Sequence, residues 1–98
     1  MADYGAIRDA VATIARKHGV ERVSLFGSRA RGDNRLDSDY DFLVTKGAMT
    51  TLWKFAAFWE DLERVLCAPA DIVTEGTPDR DLLAEAKKDA VLLYERSH

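Results

Sequence analysis

Two aspartates, Asp39 and Asp41, lie two residues apart at the start of the apolar run 39–45 (DYDFLVT). The aromatic and β-branched residues of this run predict a strand. Side chains alternate along a strand, so both carboxylates would project from the same face. Two carboxylates held side by side repel each other unless a proton or a cation lies between them. Because hard cations prefer oxygen ligands, the pair predicts a Mg²⁺ site in preference to a Zn²⁺ site.

A second feature lies upstream, where the apolar run 20–26 (VERVSLF) ends at Gly27 and Ser28. Gly27 would let the chain turn sharply off this first predicted strand. Ser28 is expected to cap a short helix, whose first backbone N–H groups would then be available to bind phosphate. A phosphate-binding turn followed by a metal-binding carboxylate pair predicts a site for a nucleoside triphosphate.

The spacing of these residues resembles that of the nucleotidyltransferase superfamily that includes DNA polymerase β. The pattern GSxAxGxxxxxSDxD of that superfamily is met at seven positions: Gly27, Ser28, Ala30, Gly32, Ser38, Asp39 and Asp41. As a whole, the chain is similar to minimal nucleotidyltransferase (MNT) proteins, the antitoxin halves of HEPN–MNT toxin–antitoxin pairs. One departure from the family pattern is Tyr40, which stands where an aliphatic residue is usual.

Length and hydrophobic pattern predict a single domain over residues 1–98. Its fold class is α/β (α+β), with a small mixed β-sheet packed against helices, as the resemblance implies. The predicted helices cover 3–17, a long segment from Thr50 or Thr51 to Leu66, and 79–88, while the predicted strands cover 20–26, 39–45 and 70–73. The apolar run 90–94 (AVLLY) fits either a helix or a strand.

The long helix has more apolar residues than one stripe needs. Its predicted core stripe consists of Leu52, Phe55, Trp59, Leu62 and Leu66. Trp53, Ala57 and Phe58 fall partly outside that stripe. Such residues are either half-buried members of the core or a contact surface for a partner.

Composition excludes several classes of protein. A net charge of −3 argues against nonspecific binding of nucleic acid. Cys67 is the single cysteine, so no internal disulfide can form and a reducing cytoplasm is the expected setting. No apolar run approaches the length of a membrane span, and the N-terminus lacks a signal-peptide core.

The resemblance implies a third carboxylate on a strand next to the Asp39–Asp41 pair. Asp71, in the predicted strand 70–73, fits that place, and its rival Glu75 lies in a polar turn. The resemblance then implies that Asp39, Asp41 and Asp71 are both the catalytic residues and the ligands of two Mg²⁺ ions, with ATP as substrate. A hydroxyl would attack the α-phosphorus in line, so that AMP is transferred and pyrophosphate is released.

Five residues are candidates for binding the nucleotide: Gly27, Ser28, Arg29, Arg31 and Ser38. The two arginines could contact triphosphate oxygens, or they could be solvated charges that offset nearby aspartates. Ser38 would have only a supporting role near Asp39. His18 could be imagined as a catalytic base, but a position at the end of a helix beside Gly19 is sufficient reason for it.

The resemblance also implies a partner. The acceptor would be a hydroxyl of a HEPN-type toxin, expected to be that of a tyrosine, which the chain would modify with AMP and so silence as the antitoxin. One alternative is a non-catalytic antitoxin that neutralises its toxin by binding. Another is a nucleotidyltransferase subunit that acts on a small molecule. A hetero-oligomer with the toxin is expected, without stable binding of nucleic acid or membrane.

Overall fold

The structure, a computed structural model, describes residues 4–33, 35, 39–48 and 50–96. Four helices and four strands alternate along these residues, in the order α1 (Tyr4–His18), β1 (Arg22–Phe26), α2 (Ser28–Arg31), β2 (Tyr40–Thr45), α3 (Leu52–Leu66), β3 (Ala70–Thr74), α4 (Arg80–Asp89) and β4 (Val91–Glu95). The predicted α/β class is confirmed, and the predicted elements agree with the observed ones to within about two residues. The open segment 90–94 is resolved as a strand, β4.

The four strands form one mixed sheet in the order β3-β2-β1-β4. β1 is antiparallel to both β2 and β4, whereas β2 and β3 are parallel. In this register Asp41 on β2 lies between Phe26 on β1 and Asp71 on β3. The sheet therefore brings together two acids that are thirty residues apart in the chain.

The two faces of the sheet are covered unequally. α1 and α3 pack together on one face, over the large core cluster that includes Val23, Leu25, Phe42 and Val44. α4 covers the other face, where Leu83 and Ala86 pack against Leu43 and have Phe26 and Val73 beside them. Because side chains alternate along β2, Asp41 projects from the same face as Leu43, on the side of α4.

The core stripe predicted for α3 is wrong at its first residue. Thr51 caps the helix, its hydroxyl accepting a hydrogen bond from the Lys54 N–H at 3.2 Å, and Leu52 in the first turn is 78% exposed. Phe58, which the sequence placed partly outside the stripe, is fully buried with Leu62. Helical spacing fixes which residues share a face, but the position of the helix against the sheet decides which turn reaches the core.

The start of β3 is fastened to α3 by two side chains. The Trp59 indole N–H donates a hydrogen bond to the Ala70 carbonyl oxygen at 2.8 Å, and the Glu63 carboxylate accepts one from the Ala70 N–H at 2.8 Å. Ala70 immediately precedes Asp71. These contacts therefore fix the backbone from which the Asp71 side chain projects.

Candidate functional site

Three aspartates gather where the parallel pair β2 and β3 begins. Asp41 is partly buried and lies directly opposite Asp71 in the strand register, while Asp71 and Asp39 are exposed. Asp39 immediately precedes β2, two residues before Asp41, and its charge acts on the carboxyl of Asp41. The sheet brings Asp71 to this end, whereas the rival Glu75 lies beyond the end of β3 with its carboxylate 3.8 Å from the Arg22 guanidinium.

The surroundings of Asp41 oppose its negative charge. Burial raises the pKa of its carboxyl, and the charges of Asp71 and then Asp39 raise it further, while the Arg31 guanidinium lowers it in part. Loss of hydration and repulsion between like charges both favour the protonated form. A bound cation would reverse this balance because it would offset the shared negative charge.

Gly27 leaves room for the Asp41 carboxylate. Its backbone, with φ 76° and ψ −155°, occupies a region that is essentially restricted to glycine. A Cβ atom at this position would lie 2.5 Å from Oδ2 of Asp41. Gly27 therefore serves two purposes, since it turns the chain off β1 and lets the backbone approach the acid closely.

The turn after Gly27 differs from the prediction in one respect. Gly27 itself is the N-cap of α2, Ser28 is the first helical residue, and no side chain caps the helix. The Gly27 carbonyl oxygen accepts hydrogen bonds from the N–H groups of Ala30 and Arg31, each at 3.1 Å. The proposed capping role of Ser28 is wrong because the strained glycine, rather than a side chain, sets the direction of the helix.

The two arginines of α2 have different surroundings. The Arg29 guanidinium lies 4.0 Å from the centre of the Tyr40 ring, which in turn stacks on Phe42. A cation over an aromatic face is stabilised by the charge distribution of the ring. Tyr40, which is unusual in the family pattern, therefore stabilises the Arg29 guanidinium through a cation–π contact.

The guanidinium of Arg31 is held by two carboxylates. Its Nε lies 3.1 Å from Oδ2 of Asp33, and its Nη1 lies 2.9 Å from Oδ2 of Asp89. These hydrogen bonds raise the pKa of the Arg31 guanidinium, Asp89 contributing most. The sequence left two interpretations of Arg31 open, a contact with triphosphate oxygens or a solvated charge that offsets nearby aspartates. In the structure Arg31 is paired with Asp33 and Asp89, and its charge also acts on Asp41.

Sequence reasoning missed Asp89. This residue ends α4, where a negative charge is unfavourable because the helix dipole already places partial negative charge there. An acid in such a position is a signal that a cation lies nearby, although the sequence alone does not identify Arg31 as that cation. Ser38, the remaining nucleotide-binding candidate, lies outside the described residues.

His18 lies away from the three aspartates. Its Nε2 is 2.7 Å from Oδ2 of Asp61 on α3, and its ring meets Phe58 edge to face. The side chain is 13% exposed. This contact between α1 and α3 fits the structural interpretation of His18 and gives it a partner that the sequence does not reveal.

The acidic group suits a divalent cation chemically. Its donors are carboxylate oxygens, which Mg²⁺ prefers, and the raised pKa of Asp41 reflects first the burial of this carboxyl and then the negative charges of Asp71 and Asp39, which Arg31 offsets only in part. Among residues 4–33, 35, 39–48 and 50–96, however, no three His, Cys, Asp or Glu side chains are close enough together to hold a metal ion by themselves. The three aspartates are thus electrostatic neighbours in an open arrangement.

Comparisons with known proteins identify the family of the chain and solved structures of similar fold. The family described as "Polymerase beta, Nucleotidyltransferase" matches residues 9–98. A candidate protein adenylyltransferase of Methanocaldococcus jannaschii is 38% identical over 68 residues, which cover 69% of this chain and 73% of that protein. The family match over residues 9–98 includes Gly27 and the three aspartates.

Two solved structures share the fold. A candidate minimal nucleotidyltransferase is 40% identical with a TM-score of 0.74, and the match covers 88% of each chain. The tri-AMPylated HEPN toxin of Shewanella oneidensis in complex with its MNT antitoxin gives a TM-score of 0.68 at 15% identity, covering 91% of this chain and 70% of that one. No helix in the part of the chain that the structure describes is long and apolar enough to cross a membrane.

Proposed function

Since this chain belongs to the polymerase β nucleotidyltransferase family, we propose that it transfers AMP from ATP to a hydroxyl of a HEPN-type toxin and thereby acts as the antitoxin. The family resemblance carried by the GSxAxGxxxxxSDxD pattern is confirmed by the match over residues 9–98. The relative named as a candidate protein adenylyltransferase supports AMP as the transferred group. The toxin complex of the same fold supports the kind of acceptor.

The observation that carries the proposal is the group formed by Asp39, Asp41 and Asp71 beside the Gly27 turn. Asp41 is held against Gly27, and Asp71 lies opposite Asp41 across the parallel strands. Clustered acids with a raised carboxyl pKa cost folding energy, so their presence indicates a functional site. Asp39, Asp41 and Asp71 would hold Mg²⁺, with the remaining ligands supplied by the triphosphate. Bound there, Mg²⁺ would neutralise the charge that develops on the phosphates and lower the pKa of the acceptor hydroxyl.

The turn after β1 and the arginines of α2 would bind the triphosphate in this proposal. The Gly27–Ser28 turn would receive the β- and γ-phosphates on its backbone N–H groups. Arg31, held by Asp33 and Asp89, would offset part of the phosphate charge from beside Asp41. Arg29 has less freedom for that task because its guanidinium rests on Tyr40.

The transfer is a single in-line displacement. The acceptor oxygen, for which the resemblance implies a tyrosine, forms a bond to the α-phosphorus of ATP, and the bond from that phosphorus to the bridging oxygen of the β-phosphate breaks. Pyrophosphate leaves with the bonding electron pair, and the hydroxyl proton passes to the carboxylate of Asp71. Orientation and electrostatic stabilisation would supply nearly all of the rate enhancement.

The test compares Asp71→Asn with Glu75→Gln, a matched loss of one negative charge from the rival acid. Each variant is co-expressed with the toxin, the intact toxin is weighed by mass spectrometry, and growth is scored. Asp71→Asn should remove both the added AMP mass and the protection, while Glu75→Gln should keep both. Protection by Asp71→Asn, together with an unmodified toxin beside the wild-type chain, would show neutralisation by binding alone.

A further inference from the structure

We propose that a basic cleft, remote from the three aspartates, docks an acidic segment of the protein acceptor; this inference rests on the transfer to a protein proposed above. The basic cleft lies where the end of α1 faces the first turn of α3 and has a volume of about 410 Å³. Its lining residues are Arg16, Lys17, His18, Gly19, Ala48 and Lys54. None of them is acidic, although the chain as a whole has a net charge of −3.

The cations of the basic cleft are largely available to a partner. In the described part of the chain, Arg16 and Lys54 form no salt bridge, and both are exposed. Lys17 contacts Asp61 at 3.1 Å, yet its side chain remains 63% exposed. A neighbouring cleft shares Arg16, Gly19 and Ala48 with the basic cleft and adds Arg96 together with Glu95, whose carboxylate is paired with Arg22 at 2.6 Å.

The first turn of α3 carries an uncompensated positive charge and an exposed aromatic ring, both of which are unfavourable in a domain without a partner. It holds no acid, and Lys54 places a positive charge where the helix dipole is already positive. Trp53, which precedes Lys54 and lies outside the lining of the basic cleft, is 83% exposed. Tryptophan and arginine are among the residues that contribute most at protein interfaces. A bound acidic and apolar segment would offset both the uncompensated charge and the exposed ring.

The floor of the basic cleft is fixed before any partner binds. The Ala48 N–H donates a hydrogen bond to the Gly19 carbonyl oxygen at 2.9 Å, and the Gly19 N–H donates one to the Arg16 carbonyl oxygen. Gly19 has a positive φ of 69°, and a Cβ atom there would lie 2.8 Å from that of Ala48. A site shaped in advance loses less entropy on binding than a flexible one.

A protein segment fits this surface better than a nucleic acid. Single-stranded nucleic acids are typically bound by several aromatic rings along an extended basic groove, whereas Trp53 is the one strongly exposed aromatic among the described residues. An acidic segment with one apolar side chain would instead pair its carboxylates with Arg16 and Lys54 and place the apolar group on Trp53. Such complementary charge also steers association and fixes the orientation of the partner.

The position of the basic cleft leaves the aspartates uncovered. Asp41 lies near the start of β2, and Thr45 at its end is about 13 Å further along the strand. The Glu21 N–H donates to the Thr45 carbonyl oxygen at 3.0 Å, so the segment that includes Gly19 belongs to this far end. A partner docked there could be held while another of its segments reaches Asp41 and Asp71.

The test reverses charge inside and outside the basic cleft. The cleft variant carries Arg16→Glu and Lys54→Glu, and the control carries Arg8→Glu and Lys87→Glu, which reverse two exposed cations elsewhere. Trp53→Ser is a third variant that keeps every charge. Binding is measured by calorimetry with the purified HEPN-type toxin and with Mg·ATP, and by fluorescence anisotropy with a labelled oligouridylate.

The cleft variant and Trp53→Ser should each weaken toxin binding about tenfold or more, while the control binds toxin normally and all variants bind Mg·ATP equally. Unchanged toxin affinity in the cleft variant and in Trp53→Ser would overturn the proposal, and so would loss of oligouridylate binding with toxin binding intact. Weakened toxin binding beside a wild-type chain that transfers no AMP would support the docking surface and refute only the proposed function.

Discussion

Two partly buried aspartates, Asp41 on β2 and Asp61 on α3, have opposite electrostatic surroundings. Asp61 is 13% exposed and accepts contacts from Lys17 at 3.1 Å, His18 at 2.7 Å and Arg64 at 3.0 Å. The hydrogen bonds from His18 and Lys17 lower the pKa of its carboxyl. The pKa of Asp41 is instead raised, by burial first and then by the charges of Asp71 and Asp39.

The charge of Asp61 stabilises the fold, whereas the charge of Asp41 destabilises it. Asp61 is compensated within the chain, because α1 and α3 supply its cations when they pack together. Asp41 is compensated only in part, by Arg31, so its ionised form needs something from outside the chain. This contrast leads to four predictions, in order of decreasing expected effect.

The largest effect is expected from replacing the uncompensated acids. Asp39→Asn combined with Asp41→Asn should abolish Mg²⁺-dependent ATP binding and lower the rate of AMP transfer by about 10³-fold or more, because the cation and the triphosphate lose their ligands. Calorimetry with Mg·ATP measures the first effect. Asp61→Asn is the control that also removes a carboxylate, and it should keep ATP binding. Equal affinity in the double variant and the wild-type chain would contradict the assignment of this site.

Gly27→Ala should damage both the site and the fold. The added Cβ would lie 2.5 Å from Oδ2 of Asp41, on a backbone conformation that alanine rarely adopts. We expect a loss of about 1–3 kcal/mol in the free energy of unfolding, together with weaker ATP binding. The matched control is Gly32→Ala, which also has a positive φ but has open space around the new atom. Equal losses of unfolding free energy in Gly27→Ala and Gly32→Ala would mean that the close contact with Asp41 does not contribute to the effect of Gly27→Ala.

Replacing the compensated acid should lower stability while leaving the chemistry of the site unchanged. Asp61→Asn removes a carboxylate that contacts Lys17, His18 and Arg64, and we expect it to lower the free energy of unfolding by about 2 kcal/mol, or the melting temperature by about 8–15 °C. Asp41→Asn, measured without metal, should leave the melting temperature unchanged or raise it. A fall of several degrees for Asp41→Asn would mean that this acid has a structural role.

The smallest effect is the pH dependence that distinguishes the two acids. The lowered pKa of Asp61 stabilises the fold above its unfolded pKa of about 3.9, and this contribution is lost as the pH falls through the folded value. The raised pKa of Asp41 destabilises the fold. This loss of stability is absent below the unfolded pKa of about 3.9 and grows as the pH rises from there toward the folded pKa. Thermal melts of Asp61→Asn should therefore converge on the wild-type curve as the pH falls from about 3.9 through the folded pKa of Asp61, whereas those of Asp41→Asn should converge as the pH falls from the folded pKa of Asp41 to about 3.9. A gap that stays constant over these ranges would contradict both assignments.

The sequence by itself determined the elements and the central motif. Alternation along 39–45 predicts one face for Asp39 and Asp41, and the periodicity of the apolar residues located the long helices and the strands to within about two residues. These features depend on neighbours in the chain, whose geometry the backbone fixes locally. The spacing of the glycines and aspartates was also sufficient to identify the family.

Only the tertiary structure decided which distant groups meet. The parallel pairing of β2 and β3 places Asp71 beside Asp41. The packing of the helices brings His18 into contact with Asp61 and Arg31 into contact with Asp89. It also exposes Leu52 and buries Phe58, although both belong to one helix. The physical reason is that a helical or strand pattern fixes directions around its own axis, whereas contacts across tens of residues depend on how those axes are placed against one another.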